Sequence, residues 1–96
     1  MRNGRGMIKL GSIIQIKGDY KDYAVISRGI ILMDKGKKEF YDYGVVLYPE
    51  GLKGDEINYI KKESVEKVVF EGYNDDSNIK IEGELYEYIK NNWSKK

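Results

Sequence analysis

The sequence predicts a small α+β fold, mainly β: a strongly bent antiparallel sheet, or SH3-like barrel, of about five strands with a C-terminal helix. Three observations lead there. Short β-prone runs recur at spacings near ten residues, separated by Gly- and Asp-containing turns. One run, Glu39 to Tyr48, carries apolar residues on both faces, as an interior strand does. The last stretch switches to a four-residue period, with Ile81, Leu85, Ile89 and Trp93 on one stripe.

In chain order, residues 1–7 hold two glycines and no apolar residue between Met1 and Met7, and are expected to form a disordered tail. One domain, 8–96, follows, with the sheet over about 8–73 and the helix over about 83–93. Ile8 to Lys17 reads as the first strand, Ile14 and Ile16 alternating with Gln15 and Lys17. Gly11-Ser12 marks a bulge or a close backbone approach. Gly18-Asp19 fits a hairpin turn. The second strand covers Asp22 to Ser27, bends at Arg28-Gly29 and continues through Ile30 to Met33. Asp34 to Lys38 is a charged turn around Gly36.

In the third strand Tyr41, Tyr43, Val45 and Leu47 share one face, and Phe40, Asp42, Gly44, Val46 and Tyr48 the other. Asp42 is the odd acid among aromatics and calls for a partner. Arg28, set in an apolar stretch, reads in one of three ways. It binds an anion, pairs with a buried carboxylate such as Asp42, or lays its stem on the core with its head in water. Tyr48-Pro49-Glu50-Gly51 fits a β-turn with Pro at its second position.

Strand four is Glu56 to Ile60, a single helical turn covers Lys61 to Ser64, and strand five is Val65 to Phe70. The turn formers of 71–78 end the sheet. Gly83 weakens the first helical turn by about 1 kcal/mol relative to Ala, so the helix is expected to begin there, with 78–82 either a fraying turn or a short strand. Asp75-Asp76 reads as solvated loop and not as a calcium site, because the twelve-residue EF-hand pattern is missing.

Composition narrows the chemistry. The chain has no His and no Cys, which removes the usual general base near neutral pH, the thiol nucleophile and the commonest metal ligands. Glu50, Asp55 and Glu56 lie close in sequence without an arranged partner for acid–base work. No catalytic, cofactor-binding or metal-binding set is expected, and the chain is not read as an enzyme. No apolar run approaches the ~20 residues of a membrane span, so a cytoplasmic location with no membrane partner is the expectation. Residues 1–40 hold nine Lys or Arg against four Asp or Glu, and residues 41–96 hold eight against twelve. That asymmetry is either a binding face or, more simply, two halves that interleave on folding. Nine tyrosines invite a nucleic-acid reading, but the basic residues are not densely interleaved with them and the balance is near neutral, so nucleic acid is the minor alternative.

Four pieces occur in this order: Leu10-Gly11-Ser12-Ile13-Ile14, Ile26-Ser27-Arg28-Gly29, Tyr41 through Gly51, and Val69-Phe70-Glu71-Gly72-Tyr73. Together they resemble a family of small uncharacterised proteins of Gram-positive bacteria, a domain of unknown function often encoded beside type VII secretion genes and their LXG-type toxins. The resemblance covers about residues 8–75. It departs at Lys9-Leu10, where the family pattern has a proline, and it does not reach the helix. It implies a non-catalytic accessory role, an adaptor or chaperone binding a secreted toxin or its small helical targeting partners. Arg28, Asp42, Tyr43, Tyr48, Pro49, Glu50 and Gly51 are then structural or partner-contacting. An immunity protein, binding the toxin's C-terminal domain, is the competing expectation.

Overall fold

The structure, a computed structural model, describes residues 7–93. Of the expected tail, residues 1–6 lie outside the described residues, and Met7 packs half-buried at the start of the domain. Five strands follow: β1 (Ile13–Ile16), β2 (Asp22–Asp34), β3 (Lys37–Tyr48), β4 (Asn58–Ile60) and β5 (Val65–Phe70), then one helix, α1 (Asp76–Asn92). They form one antiparallel sheet in the order β4-β3-β2-β1-β5. A 3-10 turn, Lys62–Ser64, precedes β5, as the charged Lys61 to Ser64 segment predicts. The expected five-stranded antiparallel sheet with a C-terminal helix is the observed fold. It is an open sheet, with β4 and β5 at its two ends.

β2 and β3 make the longest pairing, Asp22↔Tyr48 through Asp34↔Lys37. Their hairpin turns on Lys35-Gly36, both with positive φ (51° and 80°), the backbone that a two-residue turn between right-twisted strands requires. The ladder shifts register between Val25 and Ser27, and Gly29 also has positive φ, so the bend expected near Arg28-Gly29 lies inside one long strand. β3 is interior where it matters, held by β2 on one side and by β4 at Tyr43–Val45 on the other. The core sits against one sheet face and joins Ile14, Tyr23, Val25, Tyr43 and Val45. Ile14 and Val45 are fully buried, each worth about 1.5–3 kcal/mol of burial.

Two boundaries differ from expectation. β1 is only Ile13–Ile16, because Gly11 and Ser12 leave the regular ladder while still bonding Val25: Gly11 N–H donates to Val25 O at 2.8 Å and Val25 N–H to Ser12 O at 2.9 Å. The helix starts earlier than Gly83. Asp75 caps it, its side chain accepting from the Asn78 N–H at 2.9 Å, so 78–82 is helical and Asp75 is a cap and not only a solvated loop residue. The buried side of α1 is also rotated: Glu82 is its one buried residue, while Ile81 is 45% exposed. Leu85, Ile89 and Trp93 keep their expected half-buried places, and Trp93 stacks on Phe40 with ring centroids 5.6 Å apart.

Candidate interaction surface

The residues singled out from sequence fall into two groups, one at the middle of β3 and one at its C-terminal end. Tyr43 and the Arg28 side chain are buried, Asp42 is half-buried, and each has a structural partner. Arg28 does not pair with Asp42. In the ladder Arg28 stands opposite Tyr43, and residues directly opposite share a face, so Asp42, one residue along, points to the other side. Arg28 Nη1 instead lies 3.3 Å from Glu82 Oε2 on α1, with only 6% of the arginine side chain and 10% of the glutamate side chain exposed. Its head is therefore not in water. The same Glu82 oxygen accepts from Asn78 Nδ2 at 2.9 Å and lies 3.8 Å from Lys9 Nζ. Lys9 also reaches Glu71 at 3.5 Å. Cations from the basic half thus meet carboxylates of the acidic half, and this much of the charge asymmetry is interleaved on folding.

Asp42 accepts from the Lys62 N–H at 2.8 Å and so ties β3 to the 3-10 turn. The Tyr43 hydroxyl accepts from the Ile8 N–H at 3.0 Å. Burial pushes that hydroxyl's pKa above its usual value, with the Ile8 hydrogen bond opposing. Gly44, beside them, leaves little space: a Cβ would force Ser27 Oγ to shift, press on Ile57 and touch the Tyr59 ring.

The Gly-Ser and Phe-Glu-Gly pieces of the sequence prove to be halves of one contact. Ser12 is fully buried, and its Oγ accepts from the Gly72 N–H at 2.8 Å. A Cβ at Gly72 would run into the Leu10 carbonyl oxygen and lie 2.9 Å from the Ser12 nitrogen. The approach anticipated at Gly11-Ser12 is this one, and its partner is sixty residues away.

The second group surrounds the turn after β3. Pro49 and Glu50 are exposed, and the Tyr48-Pro49 peptide is cis. The turn closes with Gly51 N–H donating to Leu47 O at 2.7 Å, one residue wider than the expected four-residue turn. Tyr48 is the member that reaches a cleft. With Gly11, Ile13, Asp22, Val69 and Phe70 it lines an open, mainly apolar depression of about 460 Å³. Register explains the grouping. Phe70, Ile13 and Ala24 are directly opposite one another across β5, β1 and β2, on the face away from the core. The next row along is Lys67, Gln15, Asp22 and Tyr48. Phe70, Tyr48 and Val69 are 63%, 52% and 51% exposed. Sequence reasoning placed Phe70 in a strand but did not bring it to Tyr48, because only the register across four strands does that.

No group of three or more Asp or Glu among the described residues is placed to hold a metal ion, and no described helix is long and apolar enough to cross a membrane. Lys61 lies 5.2 Å from the centre of the Tyr41 ring and 4.0 Å from Glu39, engaged within the fold.

The family model described as a domain of unknown function (DUF4176) matches residues 7–81. The chain belongs to this family. The match takes in all five strands of the DUF4176 domain, both halves of the Ser12–Gly72 contact and every lining residue of the cleft, and it ends one residue before Glu82. No curated protein and no solved structure matches the chain.

Proposed function

We propose that this DUF4176 protein is a non-catalytic accessory protein, an adaptor or chaperone that binds a type VII-secreted LXG-type toxin or the small helical proteins that target it. The observation that carries the reading is the exposed apolar cleft at Phe70, Val69, Ile13 and Tyr48. A surface that keeps large apolar groups in water next to a rigid sheet suits docking of another polypeptide. The resemblance of the Gly-Ser, Arg-Gly and Tyr-Pro-Glu-Gly pieces supplies the setting. The chain's lack of His and Cys fits a role without chemistry of its own. Of the sequence candidates, Tyr48 touches the partner, Pro49 and Glu50 flank the contact, Gly51 shapes the turn, and Arg28, Asp42 and Tyr43 keep the scaffold in shape. The complex forms in the cytoplasm, before export.

Co-expression with a neighbouring toxin, divided into its N-terminal helical part and its C-terminal toxic part, tests this. Co-purification with the helical part, or with its small targeting partners, is the expected result. Capture of the toxic part, with loss of toxicity and unchanged secretion, would make the protein an immunity factor. Capture of neither half would end both readings.

A further inference from the structure

We infer that the free edge of β5, where it borders the cleft, is a strand-addition site. An extended segment of the partner pairs with it as a sixth strand and lays alternate side chains over the two faces of the sheet. This rests on the partner-binding reading and names the form and chemistry of what that same surface takes.

β5 ends the sheet, with β1 on one side and, among the described residues, no strand on the other. Backbone donors and acceptors on that side form a template that another extended chain completes. The two edges of the sheet differ. β4 is three residues long and none of its apolar side chains is exposed, whereas β5 has six residues and exposes Val68, Val69 and Phe70.

The ladder to β1 passes over Val69, because Val68 stands opposite Ile14 and Phe70 opposite Ile13. A residue bulged in this way is left out of the pairing. Val69 is also where two depressions meet. One is the apolar cleft of Phe70 and Ile13, on the face away from the core. The other, of about 450 Å³, is lined by Met7, Ile8, Lys9, Val68 and Glu71 besides Val69. It lies on the core side, since Val68 opposes the buried Ile14 and Ile8 packs against the core. A docked helix would use one depression. Successive side chains of a strand point to opposite faces, so a strand beside β5 uses both. The linings set its composition: apolar residues towards Phe70 and Ile13, and polar ones between them, towards the Lys9–Glu71 ion pair. A second copy of β5 fits poorly, because it brings the same two register shifts and its own Lys67, features that discourage edges from pairing with themselves.

The probe is a fluorescein-labelled eight-residue peptide in which three Val alternate with three Thr between terminal lysines. Two further versions carry backbone N-methyl groups, one on every Val and one on every Thr. Along a strand the N–H groups of alternate residues point to the same edge, so pairing with β5 engages only one of the two sets. Anisotropy titration of the full chain should show the parent peptide binding. One methylated version should bind about tenfold or more weakly and the other nearly as well as the parent. Hydrogen exchange of amides within Val65–Phe70 should slow in the complex. Val69→Lys, at a half-exposed site, should leave the fold intact and weaken the parent peptide. No binding of the parent at millimolar concentration, equal effects of the two methylations, or protection centred elsewhere would overturn the inference. So would dimerisation of the free chain that itself protects β5, which would make the edge an interface between copies. Failure of the two readings is separable: a toxin half captured equally by wild type and Val69→Lys leaves the adaptor standing and removes strand addition. One-sided peptide pairing without capture of either half does the reverse.

Discussion

Two carboxylates, Glu82 and Asp22, mark regions built on opposite rules. Glu82 is the buried residue of α1, and one of its oxygens faces Asn78, Arg28 and Lys9. Asp22 stands at the rim of the Phe70 cleft with a single glutamine donor and no cation. In the first region charge is committed to the fold, tying the helix to β2 and to the chain before β1. In the second, charge and apolar surface are left open. A partner can use the second region without disturbing the first, so substitutions should divide cleanly: those at the knot change stability, and those at the cleft change binding.

The largest effect tests the knot. Glu82→Ala leaves the Arg28 guanidinium buried with its carboxylate gone, and should cost about 3–5 kcal/mol in urea unfolding. Glu82→Gln, which keeps an acceptor, should cost less. Changing Arg28→Met and Glu82→Leu together should cost much less than the two single losses added, because no unpaired charge remains. A loss below about 1 kcal/mol for Glu82→Ala, the range of exposed pairs, would place the helix outside the cooperative unit.

Ser12→Ala comes next. It strips the acceptor from the Gly72 N–H inside a contact too tight for rearrangement, and should cost about 1–3 kcal/mol. Peptide binding at the neighbouring cleft should survive as long as the protein is folded, since Ser12 points away from it into the Gly72 contact.

A smaller effect appears with pH. Tyr43 has its pKa raised above 10.0, chiefly by burial, and that of Tyr23 is raised chiefly by its hydrogen bond to Asp19. The unfolded chain therefore releases these protons first as pH rises. Stability is full below pH about 10 and declines as pH climbs through the folded values. Comparing unfolding midpoints at pH about 9 and about 11 should show that decline in wild type and a shallower one in Tyr43→Phe. An equal slope would remove Tyr43 from the linkage.

How much of this contrast was readable beforehand follows from distance along the chain. The β2–β3 hairpin was legible because alternation and Lys35-Gly36 are local signals, and the 3-10 turn and β5 likewise. The close approach at Ser12 was legible from its glycine, though its partner Gly72 was not. The knot was hidden twice over. Arg28 and Glu82 are fifty-four residues apart, and a stripe drawn through apolar residues alone chose Ile81 over the acid beside it. Burial of Glu82 makes sense only once Arg28, Lys9 and Asn78 are known to meet it. Asp42 was the nearer choice for Arg28, and the pairing Arg28↔Tyr43 rules it out by face. The cleft was hidden for a related reason, since β5 joins β1 through two register shifts that no periodicity announces.

The smallest stability change belongs to Phe70→Ser, and it sharpens the contrast most. Phe70 lies on the edge strand and is largely exposed, so removing its ring opens no cavity and should change stability by no more than about 0.5 kcal/mol. The ring is nevertheless a large exposed apolar surface lining the cleft, and a docked segment would bury it, giving a benefit the free protein never realises. Binding should therefore fall while unfolding stays put, the inverse of Glu82→Ala. A marked loss of stability in Phe70→Ser would mean that the ring already holds β5 to β1 at Ile13, and the cleft would then be part of the scaffold and not a place kept open for a partner.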